Sequence, residues 1–237
     1  MTLVYQPLVR LRDEQMVGVE ALVRLTDEYG EQIPPDVFIR IAEEQGFIGQ
    51  VTRRLIHTAL EEIRPILTKQ ADFHCGLNLS AADILDPALC SFLDEQVVAN
   101  GLDPRQIILE ITERETAGQD DLITGIDTFR SKGHAFFIDD FGTGHSNLAY
   151  LTRLPVNGIK VDRMFTQLLG KETVGSTIVE NISAIAESMG LALVVEGVET
   201  EEQAAYLRDI NPNAIAQGWF YGKPVAIHEL CSEMNLD

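Results

Sequence analysis

Apolar runs of strand length alternate with longer amphipathic segments along the whole chain. Several runs are almost continuously apolar, as in Ala135-Phe136-Phe137-Ile138, which is typical of strands buried on both faces of a parallel sheet. The pattern predicts eight strands, at residues 4–9, 16–23, 75–79, 106–111, 134–139, 158–161, 191–196 and 214–217.

The segments between these strands have the periodicity and boundary residues of helices. One begins at Pro35 and ends before Gly46, and Thr200 with Gln203 forms a capping-box pattern at the start of another. Ser80 is placed to cap a short turn. The pattern predicts helices at residues 35–45, 51–67, 87–100, 120–132, 174–189, 200–210 and 227–234.

Eight strands interleaved with helices in 237 residues predict a (β/α)₈ barrel. Residues 10–15 join the first two strands and are too few for a crossover helix, so this pair is predicted to be an antiparallel hairpin. A doubly wound open sheet is the alternative. Neither GxGxxG nor GxxxxGK[ST] follows a strand, which disfavours a Rossmann or P-loop nucleotide site.

The composition narrows the class of protein. The chain has 37 acidic and 18 basic residues and a formal charge of −19, so it is not expected to hold nucleic acid by bulk electrostatics. It has no run of 18 apolar residues, no basic signal region, and three cysteines without CxxC spacing. We expect a cytoplasmic protein that does not bind membranes, or the cytoplasmic part of a longer membrane-anchored one.

Polar residues stand at or just after the C-terminal ends of most predicted strands. In a parallel barrel these ends open onto one face, which carries the active sites of such folds. Carboxylates gathered there repel one another and must share protons or bind cations. The residues at these ends are Glu20, Asn78, Glu110, Asp139, Asp140, Lys160, Asp162, Glu196 and Gln217.

The side chains at these ends favour a hard divalent cation. The candidate ligands offer oxygen alone, without cysteine or histidine, which suits Mg²⁺ or Mn²⁺ better than zinc. The adjacent Asp139 and Asp140 can hold two ions between them, the arrangement used for in-line attack on phosphate esters. The glycine-rich segment 140–146 follows directly. It is either an ordinary strand-to-helix loop or one that carries metal and substrate together.

Seven local motifs occur in a fixed order. They are Glu20-Ala21-Leu22-Val23-Arg24, Asn78-Leu79-Ser80, Glu110-Ile111-Thr112-Glu113, Asp139-Asp140-Phe141-Gly142-Thr143-Gly144, Ile159-Lys160-Val161-Asp162, Glu196-Gly197-Val198-Glu199-Thr200 and Gln217-Gly218. With them the chain resembles the EAL domain family of bacterial cyclic-di-GMP phosphodiesterases, from Tyr5-Gln6-Pro7 to Lys223-Pro224. The resemblance implies one TIM-type barrel domain over residues 1–237, with its first strand antiparallel.

The resemblance also implies an activity, which is hydrolysis of cyclic-di-GMP to linear pGpG with two Mg²⁺ or Mn²⁺ ions. Ca²⁺ is expected to inhibit, because it takes more and longer oxygen contacts than Mg²⁺. By motif, the ligands of the first ion would be Glu20, Asn78, Glu110 and Asp139. Asp139 and Asp140 would hold the second ion.

Further roles follow from the same resemblance. Glu196 and Lys160 would contact the attacking water, with Glu196 as the base, and Asp162 and Gln217 would support them. Arg24 would clamp a phosphate, since a guanidinium matches that geometry. The remaining substrate contacts would be Gln6, Gln217 and Glu199. Glu113 would anchor the 140–147 loop. Apart from the resemblance, Trp219-Phe220-Tyr221 follows the last predicted strand, where it either packs in the core or stacks on a guanine.

The sequence leaves two other functions open. A catalytically silent cyclic-di-GMP receptor is the main alternative, although the retained carboxylates favour an enzyme. An unrelated barrel enzyme that stabilises an enolate with Mg²⁺ would share the acidic strand ends but not the loop motif. The family further implies a homodimer and regulatory domains outside this sequence. Gly144-His145-Ser146-Asn147 departs from the family's usual Gly-Tyr-Ser-Ser and affects the dimer-facing part of the loop.

Overall fold

The computed structural model describes residues 1–116, 120–143, 151–169 and 173–234. The predicted departure at residues 144–147, including His145, lies outside these ranges. The described part contains nine strands, which are β1 (Thr2–Arg10), β2 (Gln15–Thr26), β3 (Gln32–Ile33), β4 (His74–Asn78), β5 (Ile107–Thr112), β6 (Ala135–Phe141), β7 (Gly158–Val161), β8 (Ala192–Val195) and β9 (Ile215–Ala216).

Eight of these strands close into a barrel. Their order is β1-β9-β8-β7-β6-β5-β4-β2, and β1 pairs again with β2, while β3 extends from the outer part of β2. β1 runs antiparallel to both of its neighbours, and the other barrel pairs are parallel. The predicted barrel and its first hairpin are therefore confirmed, and the open-sheet alternative is wrong.

The helices lie where the sequence pattern predicts the longer ones, with ends that shift by up to three residues. Thr200 forms the predicted capping box with Gln203. Ser80 caps a short helix as predicted, and it also does so through a capping box, with Asp83. The structure adds β3 and two one-turn helices, Glu113–Thr116 and Arg163–Thr166, which are too short to show any periodicity. The described helices are α1 (Pro35–Glu44), α2 (Ile48–Leu67), α3 (Ala81–Ile84), α4 (Pro87–Ala99), α5 (Glu113–Thr116), α6 (Asp120–Ser131), α7 (Arg163–Thr166), α8 (Thr173–Met189), α9 (Glu201–Ile210) and α10 (Ile227–Glu233), with a 3₁₀ turn at Pro104–Gln106.

A small apolar layer fills the barrel below the site face. It consists of Leu8, Ile108, Phe137 and Val194, separate from the larger core between barrel and helices. A side chain on Gly158 would meet the ring of Phe137 at 2.7 Å, so the missing Cβ makes room for that ring. The layer gives the barrel a packed floor.

None of the helices in the described ranges is both long and apolar enough to cross a membrane.

Candidate metal centre and active site

Side chains alternate between the two faces of a strand, and this alternation places the polar side chains directly above the apolar layer inside the barrel. Glu110 follows Ile108 by two residues, and Asp139 follows Phe137 by the same step. Because side chains alternate along a strand, each pair points to the same side of the sheet. The inward-facing polar residues of neighbouring strands therefore meet at one end of the barrel.

The ammonium of Lys160 lies at the centre of four carboxylates. Its Nζ is 3.0 Å from Glu20 Oε2, 2.8 Å from Glu110 Oε2, 3.2 Å from Asp139 Oδ1 and 2.8 Å from Glu196 Oε1. The Lys160 side chain is 1% exposed. One cation thus faces four groups that are anionic when ionised, and this excess of negative charge is buried. Such a cluster is stable only when it takes up protons or further cations.

The four carboxylates form two pairs that differ in how deeply the side chains are buried. The side chains of Glu20 and Glu110 are 6% and 2% exposed, whereas those of Asp139 and Glu196 are 14% and 19% exposed. Glu20 and Glu110 therefore form the bottom of the cluster. Asp139 and Glu196 lie nearer its opening, where water and a ligand can reach them.

The pKa values of the carboxylates and of Lys160 are shifted because these groups are crowded together and buried. Burial raises the pKa of Glu110 well above its usual value and that of Glu196 to about 8. Burial would raise the pKa of Glu20 as well, but Lys160 and hydrogen bonds from two amides lower it. Burial opposes the charge on Lys160, yet the surrounding carboxylates raise its pKa well above 10.5. Without added cations the cluster therefore holds protons.

Two carboxamides orient Glu20. Asn78 Nδ2 donates to Glu20 Oε1 at 2.7 Å, and Gln217 Nε2 donates to Glu20 Oε2 at 2.7 Å. Gln217 Nε2 also donates to Gln6 Oε1 at 3.1 Å. The structure thus brings Gln6, which the sequence assigns to the substrate, into a continuous hydrogen-bond network with the proposed metal ligands.

Two overlapping groups of carboxylates can each hold a metal ion. Within each group, oxygen atoms of all members lie within 4.8 Å of one another. The first group is Glu20, Glu110 and Asp139, and the second is Asp139, Asp140 and Glu196. An all-oxygen donor set with one shared carboxylate fits two hard divalent ions. The first group contains the three carboxylates predicted to hold the first ion, and the second contains Asp139 and Asp140 together with Glu196, which is predicted as the base. The assignment of metal ligands stays a prediction.

Asp140 owes its position to an unusual backbone. Its φ of 54° is left-handed, which costs free energy for any residue other than glycine. Pairing between β6 and β7 shifts register between Ile138 and Phe141, and such a bulge changes the direction of the side chains within it. Burial, Asp139 and Asp162 raise the pKa of Asp140 to about 6. The bulge turns two successive carboxylates toward the same opening.

Glu113 forms a hydrogen bond with the segment that follows Asp140. Its Oε2 accepts a hydrogen bond of 2.7 Å from the backbone N–H of Gly142, and the residue is buried at the start of α5. A side chain on Gly142 would meet the ring of Phe165 at 2.7 Å, and its φ is 97°. Within the described residues 140–143, Glu113 thus holds Gly142, and its role as anchor of the 140–147 loop stays a prediction.

Three further residues are predicted to act in the site, Arg24, Asp162 and Glu199. The Arg24 guanidinium is partly buried and donates to the carbonyl of Val23 at 2.9 Å. Asp162 caps α7 through a 2.8 Å bond from the N–H of Met164, and it faces Asp140. Glu199 is exposed in the turn before α9. The structure thus sets Asp162 beside the second group of carboxylates, and the predicted roles of all three stay predictions.

Gly76 lies against the predicted ligand Glu110 at a position that the sequence motifs do not mark. A side chain built on Gly76 would collide with the Glu110 carboxylate, so the missing Cβ makes room for that predicted ligand. Gly76 lies two residues before Asn78 and therefore on the same side of β4. The sequence signal was a glycine inside a buried strand, which marks close approach of another group.

Replacing Gly76 by alanine is expected to weaken Mg²⁺ binding by about tenfold or more, since loss of a group that orients a ligand costs 10- to 100-fold. Isothermal titration with Mg²⁺ measures the effect. Gly101→Ala is the control, because a side chain there meets nothing within 4 Å, although its positive φ carries some backbone strain. Equal Mg²⁺ affinity in Gly76→Ala and the unmodified protein would contradict the assignment of Glu110 as a ligand.

Comparisons with known proteins agree with this geometry. The family model described as "EAL domain" matches residues 1–224. Two Escherichia coli (strain K12) proteins are each 34% identical to the chain. They are "Probable cyclic di-GMP phosphodiesterase PdeB", over 92% of this chain and 42% of its own length, and "Cyclic di-GMP phosphodiesterase PdeL", over 96% and 63%. The chain spans less than two thirds of either relative.

A solved structure has the same fold as this chain. The structure titled "PaMucR Phosphodiesterase, c-di-GMP complex" superposes with a TM-score of 0.89 at 34% identity, and the match covers 97% of this chain and 93% of that one. With the family match over residues 1–224, this likeness shows that the chain belongs to the EAL domain family.

Proposed function

We propose that this domain hydrolyses one phosphodiester bond of cyclic-di-GMP to give linear pGpG, with the aid of two Mg²⁺ or Mn²⁺ ions. The observation that carries the proposal is the pair of carboxylate groups that share Asp139 around the buried Lys160. The names of both curated relatives support cyclic-di-GMP as substrate.

The residues of the cluster divide between the two ions. Glu20, Asn78, Glu110 and Asp139 would hold the first, and Asp139 and Asp140 the second. When bound, the ions would neutralise charge on the phosphate and lower the pKa of a water molecule. The ions would also neutralise the negative charge of the carboxylates, which bound protons reduce when no ion is present. This agrees with the raised pKa values of Glu110, Asp140 and Glu196.

Glu196 is suited to take the proton of the attacking water. Burial raises its pKa to about 8 without bound ions, and the positive charge of bound ions would lower that pKa, so that the carboxylate is ionised and can act as a general base at neutral pH. Its contact with Lys160, at 2.8 Å, fixes one carboxylate oxygen, and its partial exposure leaves the group open to water. As the water oxygen bonds to phosphorus, the bond from phosphorus to a 3′ oxygen would break, and that oxygen would take a proton from solvent to become a hydroxyl. The linear product would retain a 5′-phosphate.

Residues at the rim would hold the rest of the substrate. Arg24 would turn from the Val23 carbonyl to clamp a phosphate, a contact in which a guanidinium can donate two hydrogen bonds. Gln6 and Gln217 would offer amide groups from the network around Glu20, and Glu199 would contact the substrate from the turn before α9.

The direct test is turnover of cyclic-di-GMP by the purified protein with Mg²⁺, followed by chromatography of the products. We expect pGpG with Mg²⁺ and none with excess EDTA. Saturable binding of cyclic-di-GMP without hydrolysis, under conditions in which Mg²⁺ is bound, would contradict the proposal and indicate a silent receptor.

Calcium is expected to inhibit. Ca²⁺ takes six to eight oxygens at about 2.3–2.6 Å, whereas Mg²⁺ requires near-octahedral contacts at about 2.0–2.1 Å. The larger ion would spread the two carboxylate groups and move water and phosphorus out of line. Turnover should fall as Ca²⁺ is titrated against fixed Mg²⁺. Rates with Ca²⁺ alone that equal those with Mg²⁺ alone would contradict the two-ion mechanism.

Loss of the Glu113 carboxylate is expected to reduce activity in a metal-dependent way. Glu113→Ala removes the acceptor of the Gly142 N–H, so the segment carrying Asp140 is held less firmly. Activity should fall about tenfold at low Mg²⁺ and recover in part at high Mg²⁺, in line with the cost of losing an orienting partner. Glu95→Ala, which removes an exposed carboxylate from α4, is the control. Superimposable Mg²⁺ titrations for Glu113→Ala and the unmodified protein would refute the anchor role.

Three broader proposals follow from the family pattern. Residues 1–237 would form one domain, the domain would be cytoplasmic, and it would act as a homodimer whose activity is controlled by regulatory domains outside this sequence. The two curated relatives extend well beyond the region that this chain matches, which is consistent with such control.

A further inference from the structure

The one-turn helix α7 stands between two carboxylates of the second metal group. Asp140 lies at the end of β6, and Glu196 directly follows β8. In the barrel, β7 pairs with both β6 and β8, and α7 begins after Asp162, the residue that follows β7. The order of strands therefore places α7 between the segment that carries Asp140 and the segment that carries Glu196.

Two residues at α7 contact the segment of Asp140. Asp162, which caps α7, faces Asp140. The ring of Phe165, which is 8% exposed, occupies the place that a side chain at Gly142 would take. Gly142 also donates its N–H to Glu113. The backbone that follows Asp140 is thus bonded to a carboxylate and packed against a buried ring.

The segment of Glu196 also packs against α7. A side chain on Gly197, the residue after Glu196, would collide with the Cβ of Arg163, so the missing side chain lets the helix come close to this backbone. The N–H of Glu196 donates to the carbonyl of Val161, the last residue of β7, at 3.0 Å. The proposed base is therefore fixed to the strand and the helix that lie beside it.

Gln203 connects α7 to the turn that follows Glu196. Its Nε2 donates to the carbonyl of Thr166, the last residue of α7, at 3.0 Å. Its Oε1 accepts the N–H of Glu199 at 2.8 Å and that of Thr200 at 3.2 Å. Because a carboxamide offers both a donor and an acceptor, this one side chain joins α7 to the start of α9.

We propose that α7 positions the carboxylates of the second metal ion, and that Phe165 and Gln203 are its positioning residues. The proposal rests on the function proposed above, in which Asp140 helps to hold that ion and Glu196 takes a proton from water. Because α7 packs against the segments of both carboxylates, a shift of the helix would move Asp140 and Glu196 relative to each other.

The first ion should depend less on α7. Apart from Asp139, its proposed ligands lie on β2, β4 and β5, whereas β7 pairs with β6 and β8. Groups that orient a metal ligand commonly change metal affinity by 10- to 100-fold when they are lost. Loss of a contact to α7 should therefore weaken the second ion by about tenfold and affect the first ion little.

Gln203→Glu removes one contact and keeps the rest. A glutamate can still accept the N–H groups of Glu199 and Thr200, which keeps α9 capped, but its carboxylate cannot donate to the carbonyl of Thr166. The added negative charge alone would favour cation binding. Weaker binding would therefore report the lost contact. Gln50→Glu, at an exposed position of α2, is the control for charge.

Phe165→Leu tests the contact with the segment of Asp140. The smaller side chain leaves space beside Gly142, so this backbone is packed less firmly. Phe73→Leu is the control, because it makes the same change at a buried ring just before β4, at the other end of that strand from Asn78. This control separates a general loss of stability from an effect on the metal centre.

Titration with Mn²⁺, followed by electron paramagnetic resonance of the free ion, measures binding without substrate. The unmodified protein and both controls should bind two ions with the same affinities. Gln203→Glu and Phe165→Leu should each weaken one ion by about tenfold and leave the other nearly unchanged. Turnover of cyclic-di-GMP by both variants should fall at low Mg²⁺ and recover as Mg²⁺ is raised.

The two proposals fail in different ways. Absence of turnover in the unmodified protein would refute the proposed function, while the Mn²⁺ titration would still test α7. Mn²⁺ binding by either variant that equals that of the unmodified protein would overturn the role of the residue replaced. Equal weakening of both ions, or fewer than two ions bound by the unmodified protein, would overturn positioning of the second ion by α7.

Discussion

Replacing Glu20 by alanine is expected to reduce turnover of cyclic-di-GMP by about 100-fold or more, because loss of an orienting partner alone costs up to that much. The Glu20 carboxylate contacts Lys160 and accepts hydrogen bonds from Asn78 and Gln217. Its removal takes away a deep predicted ligand, leaves the Asn78 amide without this acceptor and leaves the Gln217 amide with Gln6 as its acceptor.

The fold should survive this change. Glu20 is one of four carboxylates that repel one another, so its loss relieves crowding while three partners of Lys160 remain. Steady-state kinetics and thermal unfolding measure the two effects separately. Glu20→Gln, which keeps the shape but not the charge, is the companion variant and should also be strongly impaired. Near-normal activity of Glu20→Ala with Mg²⁺ would show that the metal assignment is wrong.

Replacing Lys160 by methionine is expected to lower the free energy of unfolding in EDTA by about 3–5 kcal/mol, the usual cost of removing one partner from a buried ion pair. Four carboxylates would then face one another without their shared cation. Mg²⁺ should restore part of the lost stability, since it supplies positive charge to the same groups.

The sign of the pH dependence follows from the same crowding. Without Lys160 the folded carboxylates hold protons, so their pKa values lie above those of the unfolded chain, and stability is lost as pH rises. The loss of unfolding free energy caused by Lys160→Met should therefore be larger at pH 8 than at pH 5. Urea unfolding of both proteins measures it. Lys132→Met, which breaks an exposed ion pair with Asp94, is the control and should cost less than about 1 kcal/mol. Equal losses for both variants, or no effect of Mg²⁺ on Lys160→Met, would contradict a charge-balanced cluster.

Much of the fold could be predicted from local pattern. The alternation of strands and helices indicated the barrel, and the few residues between the first two strands indicated their antiparallel pairing. The inward carboxylates could be predicted as well, because each follows a buried apolar stretch of a strand. The resemblance to the family covered the same residues.

The unpredicted features depend on register and backbone geometry. Four carboxylates around Lys160 require the exact stagger of neighbouring strands, which no single strand's sequence contains. The left-handed Asp140 follows from a bulge between β6 and β7. The place that Gly76 leaves for Glu110 appears only when β4 and β5 are paired.

The metal centre itself is tested most directly by crystallography with Mn²⁺, using anomalous scattering at the manganese edge. The account predicts two peaks about 3.5–4 Å apart, the spacing of two-ion phosphodiester sites. One should lie among Glu20, Asn78, Glu110 and Asp139, and the other beside Asp139 and Asp140. Crystals grown in saturating Mn²⁺ with no peak in this cluster, or with a peak only elsewhere, would contradict the account.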